Sequence, residues 1–388
     1  MKLTIRTDDL TKALAIVGKA VATRPTLPVL SHVLIQVDSE KATLLLAGTD
    51  LEQFIIQRLD SMAVEESGAL TVPWKLFNDL TGTFVKDELV TLTAEEGDDI
   101  LHVECGKSKS DLRGIDSKEF PMLPGVLETG EPLCLFAPGD LAERLAQVVF
   151  AAATDESRPI LTGVYVQSKE GVLSFVTADG FRLAWRHDNV PFLSDGSLMA
   201  DGSFVMPAEA AKILCGLLAA QIKAGHESEV SLFISPTRNA VYWRLYDVDL
   251  CTQLLEGNFV NYPQIVPTSH TTRLVLDRRE LERHLKTMMV FKVDIIHLEV
   301  GTRINGQGTL HISAQDAETG EVESTMTVDM EGDPVLIAFN AKFLLDSLNA
   351  CGTAQVVMEL SGSTRPGVVK PVDDDSYLGV IMPMHVRE

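Results

Sequence analysis

The chain has 388 residues, 45% of them hydrophobic and 23% charged, with a formal net charge of −22. That length points to two or three domains, each able to bury its own core. The acidic balance excludes a protein that coats nucleic acid with its whole surface, but not one with a locally basic, enclosed surface.

In chain order, Met1-Lys2-Leu3-Thr4-Ile5 reads as a strand and not as an export signal. The first predicted helix follows the polar cap Thr7-Asp8-Asp9 and carries an apolar stripe at Leu10, Leu14, Val17 and Val21. A strand at Ala42 to Leu46 comes next. Gly68-Ala69-Leu70-Thr71-Val72-Pro73 then reads as a strand running into a second helix with Leu76, Phe77 and Leu80. Phe120-Pro121-Met122-Leu123-Pro124 closes this stretch.

The order then repeats. Pro138-Gly139-Asp140 caps a stripe at Leu141, Leu145, Val148 and Ala152, and Val172 to Val176 reads as a strand. Gly202 to Pro207 leads into Ile213, Leu214 and Leu217, and Val230 to Ile234 joins Ala240 to Leu245 across a Pro236-Thr237-Arg238-Asn239 hairpin turn. Tyr262-Pro263-Gln264-Ile265-Val266-Pro267 closes the second round. The third opens at Asp277-Arg278-Arg279 with Leu281, Leu285, Met288 and Lys292. Its second half runs from Pro334 to Asn340 into Phe343, Leu344 and Leu348.

Stripes offset by 131 and 140 residues make this a tandem of three similar domains and not a solenoid. The expected fold is α+β, with six long helices against antiparallel sheets. The domains are expected at residues 1–127, 132–268 and 272–388.

No apolar run nears the roughly 18 residues of a membrane helix, so no membrane is expected and the location is read as cytoplasmic. The five cysteines are scattered, odd in number and without CxxC spacing, which suits reduced buried thiols. No cofactor is expected. Nine histidines form no HExxH and no pairing with Cys at metal spacing, and the glycines at 301–308 lack a P-loop's Lys-Ser/Thr. Asp155-Glu156 and Asp98-Asp99 read as caps and turns rather than metal ligands. The apolar positions repeat while the polar ones do not, the mark of a scaffold and not of an enzyme.

Several segments in this order resemble the bacterial DNA polymerase III beta subunit family, the sliding clamps. They are Arg24 to Leu30, Gly48 to Glu52, Ala178 to Ala184, Tyr262-Pro263, Phe339-Asn340 with Leu344 to Ala350, and Val380-Ile381-Met382-Pro383-Met384. The resemblance spans essentially the whole chain. It implies a non-catalytic processivity factor: a head-to-tail homodimeric ring whose helices line a hole for double-stranded DNA, with sheets outside. It further implies partners in replicative and translesion polymerases, the clamp loader, and mismatch-repair and ligase-type proteins, all bound through short linear peptides. A diverged copy that binds peptides without encircling DNA is the alternative.

On this reading the DNA-facing candidates are Lys12, Lys19, Arg24, Arg144, Lys212, Arg278, Arg279, Arg283, Lys286 and Lys342, with Lys223 at or past a helix end. The peptide cleft would be walled by Arg158, Leu161, Ala178, Gly180, Phe181, Arg182, Leu183, Pro263, Ile265, Val266, Thr364, Pro366, Val380, Met382, Pro383 and Met384. Read alone, Met382-Pro383-Met384 is better taken as a C-terminal strand packed in a core. The dimer contact is expected at Lys107, Lys109 and Leu112 of the first domain and at Val290 and Phe291 of the third. Phe181 stands where a polar ring is common, and His385 where Arg is frequent. The tail then runs on through Val386-Arg387-Glu388, and Arg365 to Ser376 reads as an exposed loop.

Overall fold

The structure, a computed structural model, describes residues 1–60, 63–95, 97–123, 131–189, 201–301, 307–316, 318 and 320–384. Pro124, most of the first expected boundary, residues 302–306 and the tail from His385 to Glu388 lie outside the described residues.

Six α-helices stand among the described residues: α1 (Thr7–Val17), α2 (Trp74–Thr81), α3 (Pro138–Val148), α4 (Ala208–Lys223), α5 (Arg278–Val290) and α6 (Ala341–Cys351). None of them is long and apolar enough to cross a membrane. The stripes do what their period implies. Leu10, Leu14 and Val17 of α1, Leu141, Leu145 and Val148 of α3, and Leu281, Leu285 and Met288 of α5 are all fully buried. The fourth position of each stripe is not helical. Val21 and Ala152 follow a short 3-10 turn in extended backbone, and Lys292 takes φ 57°. The tightened last turn redirects the chain toward the next strand before the stripe is complete.

Two helix starts are held by side chains, as their sequence suggests. The Asp277 carboxylate accepts from the Glu280 amide at 2.8 Å, and the Asn340 side chain accepts from the Phe343 amide at 3.1 Å. At α1 the expected polar cap works differently: the Thr7 hydroxyl donates to the Val85 carbonyl at 3.0 Å. In α2 Phe77 and Thr81 are buried, while Leu76 points outward.

The chain folds as two compact units. The first is built mainly on Met1–Ala142 and Ile213–Leu254, the second on Glu143–Val190, the strand Gly202–Pro207 and Leu255–Glu388. The middle repeat is therefore divided between them. All strand pairs among the described residues are antiparallel. The first unit holds a five-stranded sheet whose edge is Ser108–Arg113, and a nine-stranded sheet. The second unit holds a twelve-stranded sheet. Arg365 to Ser376, expected as a loop, contains the strand Gly367–Pro371, because Val368 and Val369 are buried in that sheet.

Both large sheets are continuous because a strand of one repeat pairs with the last strand of the next. In the first unit Gln53–Asp60 lies against Val248–Gln253, with Gln53 opposite Thr252. In the second, Arg182–Asn189 lies against Tyr377–Ile381, with Arg182 opposite Ile381. The first joint carries a buried carboxylate met by two partly exposed guanidinium groups. Asp249, 1% exposed, receives Arg58 Nη1 at 2.6 Å from the facing strand and Arg244 Nε at 3.0 Å from the neighbouring one. Burial withdraws water, so this carboxylate has no substitute partner.

Burial holds the Cys251 and Cys351 thiols protonated, pushing both up to about 12. Arg58→Ala with Arg244→Ala should strand the buried Asp249 charge without its partners and lower the unfolding free energy by about 3 kcal/mol, read as a fall in the urea midpoint of the first unit. A loss below about 1 kcal/mol would mean the cluster contributes no more than an exposed pair.

Candidate functional site

An apolar cavity of about 170 Å³ opens in the second unit. Its lining is Arg158, Leu161, Ala178, Gly180, Phe181, Arg182, Leu183, Val260, Ile265, Val380 and Met382. All but Val260 are among the cleft positions expected from the sequence. Val260 was missed although it stands two residues before Tyr262, next to Phe259, in the stretch that precedes Tyr-Pro. The remaining expected positions do not line the cavity. Val266 packs against the cluster of Val176, Ala178, Leu183, Tyr262 and Val380 beneath it. Thr364 and Pro263 are exposed. Pro366 and Pro383 are half-buried elsewhere. Met384 is drawn away, its amide donating to the Ala338 carbonyl at 2.8 Å as an isolated bridge to the edge strand Val335–Asn340.

A tight turn shapes the cavity mouth. Asp179 Oδ1 accepts from the Phe181 and Arg182 amides at 2.8 and 2.9 Å, which holds Gly180 at φ 95°. The first repeat uses the same device: Asp50 Oδ1 accepts from the Glu52 and Gln53 amides, with Leu51 at φ 81°. A Cβ on Gly180 would meet Arg158 Nη2 at 2.7 Å, so the glycine leaves room for that guanidinium beside the mouth. Phe181, 59% exposed, and Met382, 40% exposed, stand at the rim. The Met382 amide donates to the Phe181 carbonyl at 2.8 Å and ties the two together.

Arg182 forms the polar floor. Its Nε donates to Asp179 at 3.0 Å, Nη1 to Asp346 of α6 at 2.8 Å and Nη2 to the Phe150 carbonyl at 2.8 Å. The guanidinium also lies over the Phe343 ring, 4.3 Å from its centroid. These contacts fix the side chain, so an entering group meets a rigid wall of set shape. Tyr262, edge-on to Tyr165 and Trp185, donates its hydroxyl to Gln167 at 3.0 Å, and burial raises its pKa.

Sequence profiles of the DNA polymerase III beta subunit match the chain in order: the N-terminal domain over residues 1–124, the central domain over 137–261 and the C-terminal domain over 263–385. The chain belongs to the DNA polymerase III beta subunit family. A beta sliding clamp from a Synechocystis species is 30% identical, with 100% of both chains covered. The solved DNA polymerase III beta subunit of Pseudomonas aeruginosa is 29% identical, with a TM-score of 0.86 over 100% of both chains. The Bacillus subtilis clamp superposes with a TM-score of 0.89 at 22% identity, again over 100% of both chains, a likeness of fold. The chain thus has the three tandem domains of a sliding clamp, a non-catalytic processivity factor of DNA replication.

The basic residues expected to face DNA in this clamp family fall into two groups. Lys12, Lys19, Arg24 and Arg279 are exposed and have no ion pair among the described residues. Arg283 and Lys286 are exposed and only loosely paired, to Glu280 and Glu282 at 3.8 and 3.7 Å. Lys212 and Lys342 are exposed but bonded to Glu209 and Asp346. Lys223 is exposed at the end of α4. Two residues depart from the expected solvated face. Arg144, 13% exposed, holds Asp188 at 3.0 Å, and Arg278, 15% exposed, is bound to Glu282 and to the Thr353 carbonyl. Their charge is neutralised by groups of their own unit.

Of the expected dimer residues, Lys107 and Lys109 are exposed and Val290 is 77% exposed, while Phe291 is half-buried. Leu112 lies on the edge strand Ser108–Arg113, but its side chain is 4% exposed and belongs to the core of its own unit. Asp155, one of the acid pairs considered for metal, instead accepts from the Ser157 amide and hydroxyl, and these bonds lower its pKa. Among the described residues no group of three His, Cys, Asp or Glu could hold a metal ion.

Gly180→Ala should cost about 1 kcal/mol of stability, the strain of a left-handed residue with a Cβ. It should not unfold the chain, since Leu51 sustains the same conformation. A thermal melt unchanged from the parent would mean that the turn is not held at φ 95°.

Proposed function

We propose that two copies of the chain close head to tail into a ring around duplex DNA, and that the cavity receives short peptides by which polymerases are tethered to it. The observation that carries the ring is a pair of unfilled sheet edges. Gln53–Asp60 and Arg182–Asn189 each find a partner in the last strand of the following repeat. Among the described residues the corresponding strand of the third repeat, the first part of Gly320–Gly332, is paired on one side only, and Ser108–Arg113, the last long strand of the first repeat, pairs only with Ile100–Cys105. Each edge has the partner that the other copy would supply.

Charge favours that pairing. Lys107 and Arg113 border one edge, where Lys109 is bonded to Glu104 and Asp111 to His102, and Glu318, Glu321 and Glu323 border the other, all exposed. Since Leu112 faces inward, the contact would run through backbone bonds and these charges, with Val290 and Phe291 beside it. Three repeats per chain give six in the ring, and we take their limits as residues 1–127, 132–268 and 272–388.

The helices would line the hole. Lys12, Lys19, Arg24, Arg279, Arg283 and Lys286 supply enough positive charge for phosphate, while the excess of acid on the chain keeps the rest of the surface off DNA. Grip is then topological, and processivity follows from the high effective concentration of a tethered polymerase at the primer end. The cavity suits an apolar peptide: Leu161, Leu183 and Val380 give a dry pocket, Met382 an adaptable wall, and Arg158 a cation at the mouth. Replicative and translesion polymerases, the clamp loader, and mismatch-repair and ligase-type proteins would compete for it.

Two experiments separate these claims. Lys107→Glu with Arg113→Glu should shift the chain from dimer to monomer in light scattering, and adding Glu321→Lys with Glu323→Lys should restore the dimer. A dimer unmoved by the first pair would remove this edge from the contact. Phe181→Asp should weaken a fluorescent clamp-binding peptide at least about tenfold in polarisation titrations while leaving the dimer intact. Unchanged affinity would place the peptide elsewhere.

A further inference from the structure

A histidine stands beside each of the two sheet edges that the ring would join, one strand in from the edge. His102 Nδ1 lies 2.7 Å from the Asp111 carboxylate on Ser108–Arg113, and His311 Nε2 lies 3.8 Å from the Glu323 carboxylate on Gly320–Gly332. Neither the ring as described nor the peptide cavity uses them. What they do depends on which residues meet when the edges close, and the joints inside the chain supply that register.

Ser108–Arg113 follows Ile100–Cys105 across Gly106-Lys107, with Cys105 opposite Ser108. Val248–Gln253 follows its own neighbour across Tyr246-Asp247, where the Leu245 amide donates to the Val248 carbonyl. The two turns match, so Asp111 occupies the position of Cys251, and Lys109 that of Asp249. On the other edge, Asp316 accepts from the Glu318 amide as Asp50 does from the Glu52 amide. Ala314, two residues before Asp316, stands opposite Val322, and Gly48, two before Asp50, stands opposite Ile55. Glu321 thus occupies the position of Phe54, and Glu323 that of Ile56. Cys251 faces Phe54 and Asp249 faces Ile56 at the first joint. The same register sets Asp111 against Glu321 and Lys109 against Glu323. The second pair attracts, but the first is a like-charge pair, which weakens a sheet when directly opposite.

We propose, resting on the head-to-tail ring, that the joint between copies takes this register and that the charge on His102 sets its strength. With a proton, His102 neutralises Asp111 and relieves its repulsion of the partner's Glu321. Without one, two carboxylates face each other. Histidine ordinarily takes up a proton between about pH 7 and 6, so this contribution is present below that window and is lost as pH rises through it. The other groups facing His102 keep their charge across the window. Thr91 and Thr93 on the preceding strand are uncharged, Glu104 on its own strand is bonded to Lys109, and Arg113 stays cationic. His311 works in the opposite sense, since its proton screens Glu323 from the partner's Lys109. At 3.8 Å it lies beyond hydrogen-bond reach of that carboxylate, so its effect is the smaller.

Dissociation of the full chain on dilution, followed by energy transfer between labelled copies at about pH 6 and about pH 8, tests the switch. The dimer should be about tenfold tighter at the lower pH, because two such joints close each ring. His102→Asn should hold it at the weaker affinity at both pH values, and Asp111→Asn at the tighter one. Both side chains lie outside the core, so the variants keep the fold. His311→Asn should leave the pH response in place. A parent dimer equally tight at both pH values, or a response that His102→Asn does not remove, would overturn the switch while leaving the ring. The register has its own test. Asp111→Cys with Glu321→Cys should cross-link the copies on oxidation, and Asp111→Cys with Thr325→Cys, four residues along the same face, should not. The reverse pattern would overturn the register, and a chain that is monomeric at both pH values would overturn the ring with it.

Discussion

Every strand at a sheet edge leaves a row of backbone donors and acceptors that must meet water or another strand. In this chain each repeat solves that problem for the one before it. Gln53–Asp60 is completed by Val248–Gln253, and Arg182–Asn189 by Tyr377–Ile381. Ionic contacts with a buried member sit at both joints: Arg58 and Arg244 on the buried Asp249 at the first, the buried Arg182 on Asp179 and Asp346 at the second. A buried ion pair adds little net stability over apolar packing, but it penalises a slipped register heavily, because slippage would strand a charge. The series of three then leaves Ser108–Arg113 of the first repeat and the first part of Gly320–Gly332 of the third without the partner that this pairing gives the others.

The two joints are alike in register and unlike in what they enclose. At the first, Phe54 stands opposite Cys251 and packs against the cluster of Phe233, Ala240, Tyr242 and Cys251. At the second, the smaller Leu183 stands opposite Val380. The turn residue differs in the same sense, Leu51 at the first and Gly180 at the second, where the missing side chain gives Arg158 its place. The apolar cavity is thus a product of reduced side-chain volume at one of two equivalent positions. A site of this kind arises without any new backbone element, by side-chain substitution within a repeated scaffold.

How much of this could be read in advance depended on the range of the signal. The three stripes were legible because a helix writes its period into consecutive residues; their ends were not, because the shift to 3-10 geometry before Val21 and Ala152 depends on where the next strand lies. The division of the middle repeat between two units was invisible locally, since it follows from pairing between strands nearly 200 residues apart. Most of the cavity came from family resemblance. The residues alone left Met382-Pro383-Met384 as a core strand, and Met384 does pair with a strand edge. The pairing of Arg144 with Asp188 was hidden by sequence distance, whereas Arg278 and Glu282 stand at helical i,i+4 spacing and could have been recognised.

The account turns on whether the two open edges meet between copies. Negative-stain electron microscopy of the purified chain, at concentrations where a dimer persists, tests that most directly. A closed six-lobed ring with an open centre is the predicted particle. A compact or elongated particle without a hole would contradict the closure of the sheets and leave only the peptide cavity of the proposed function.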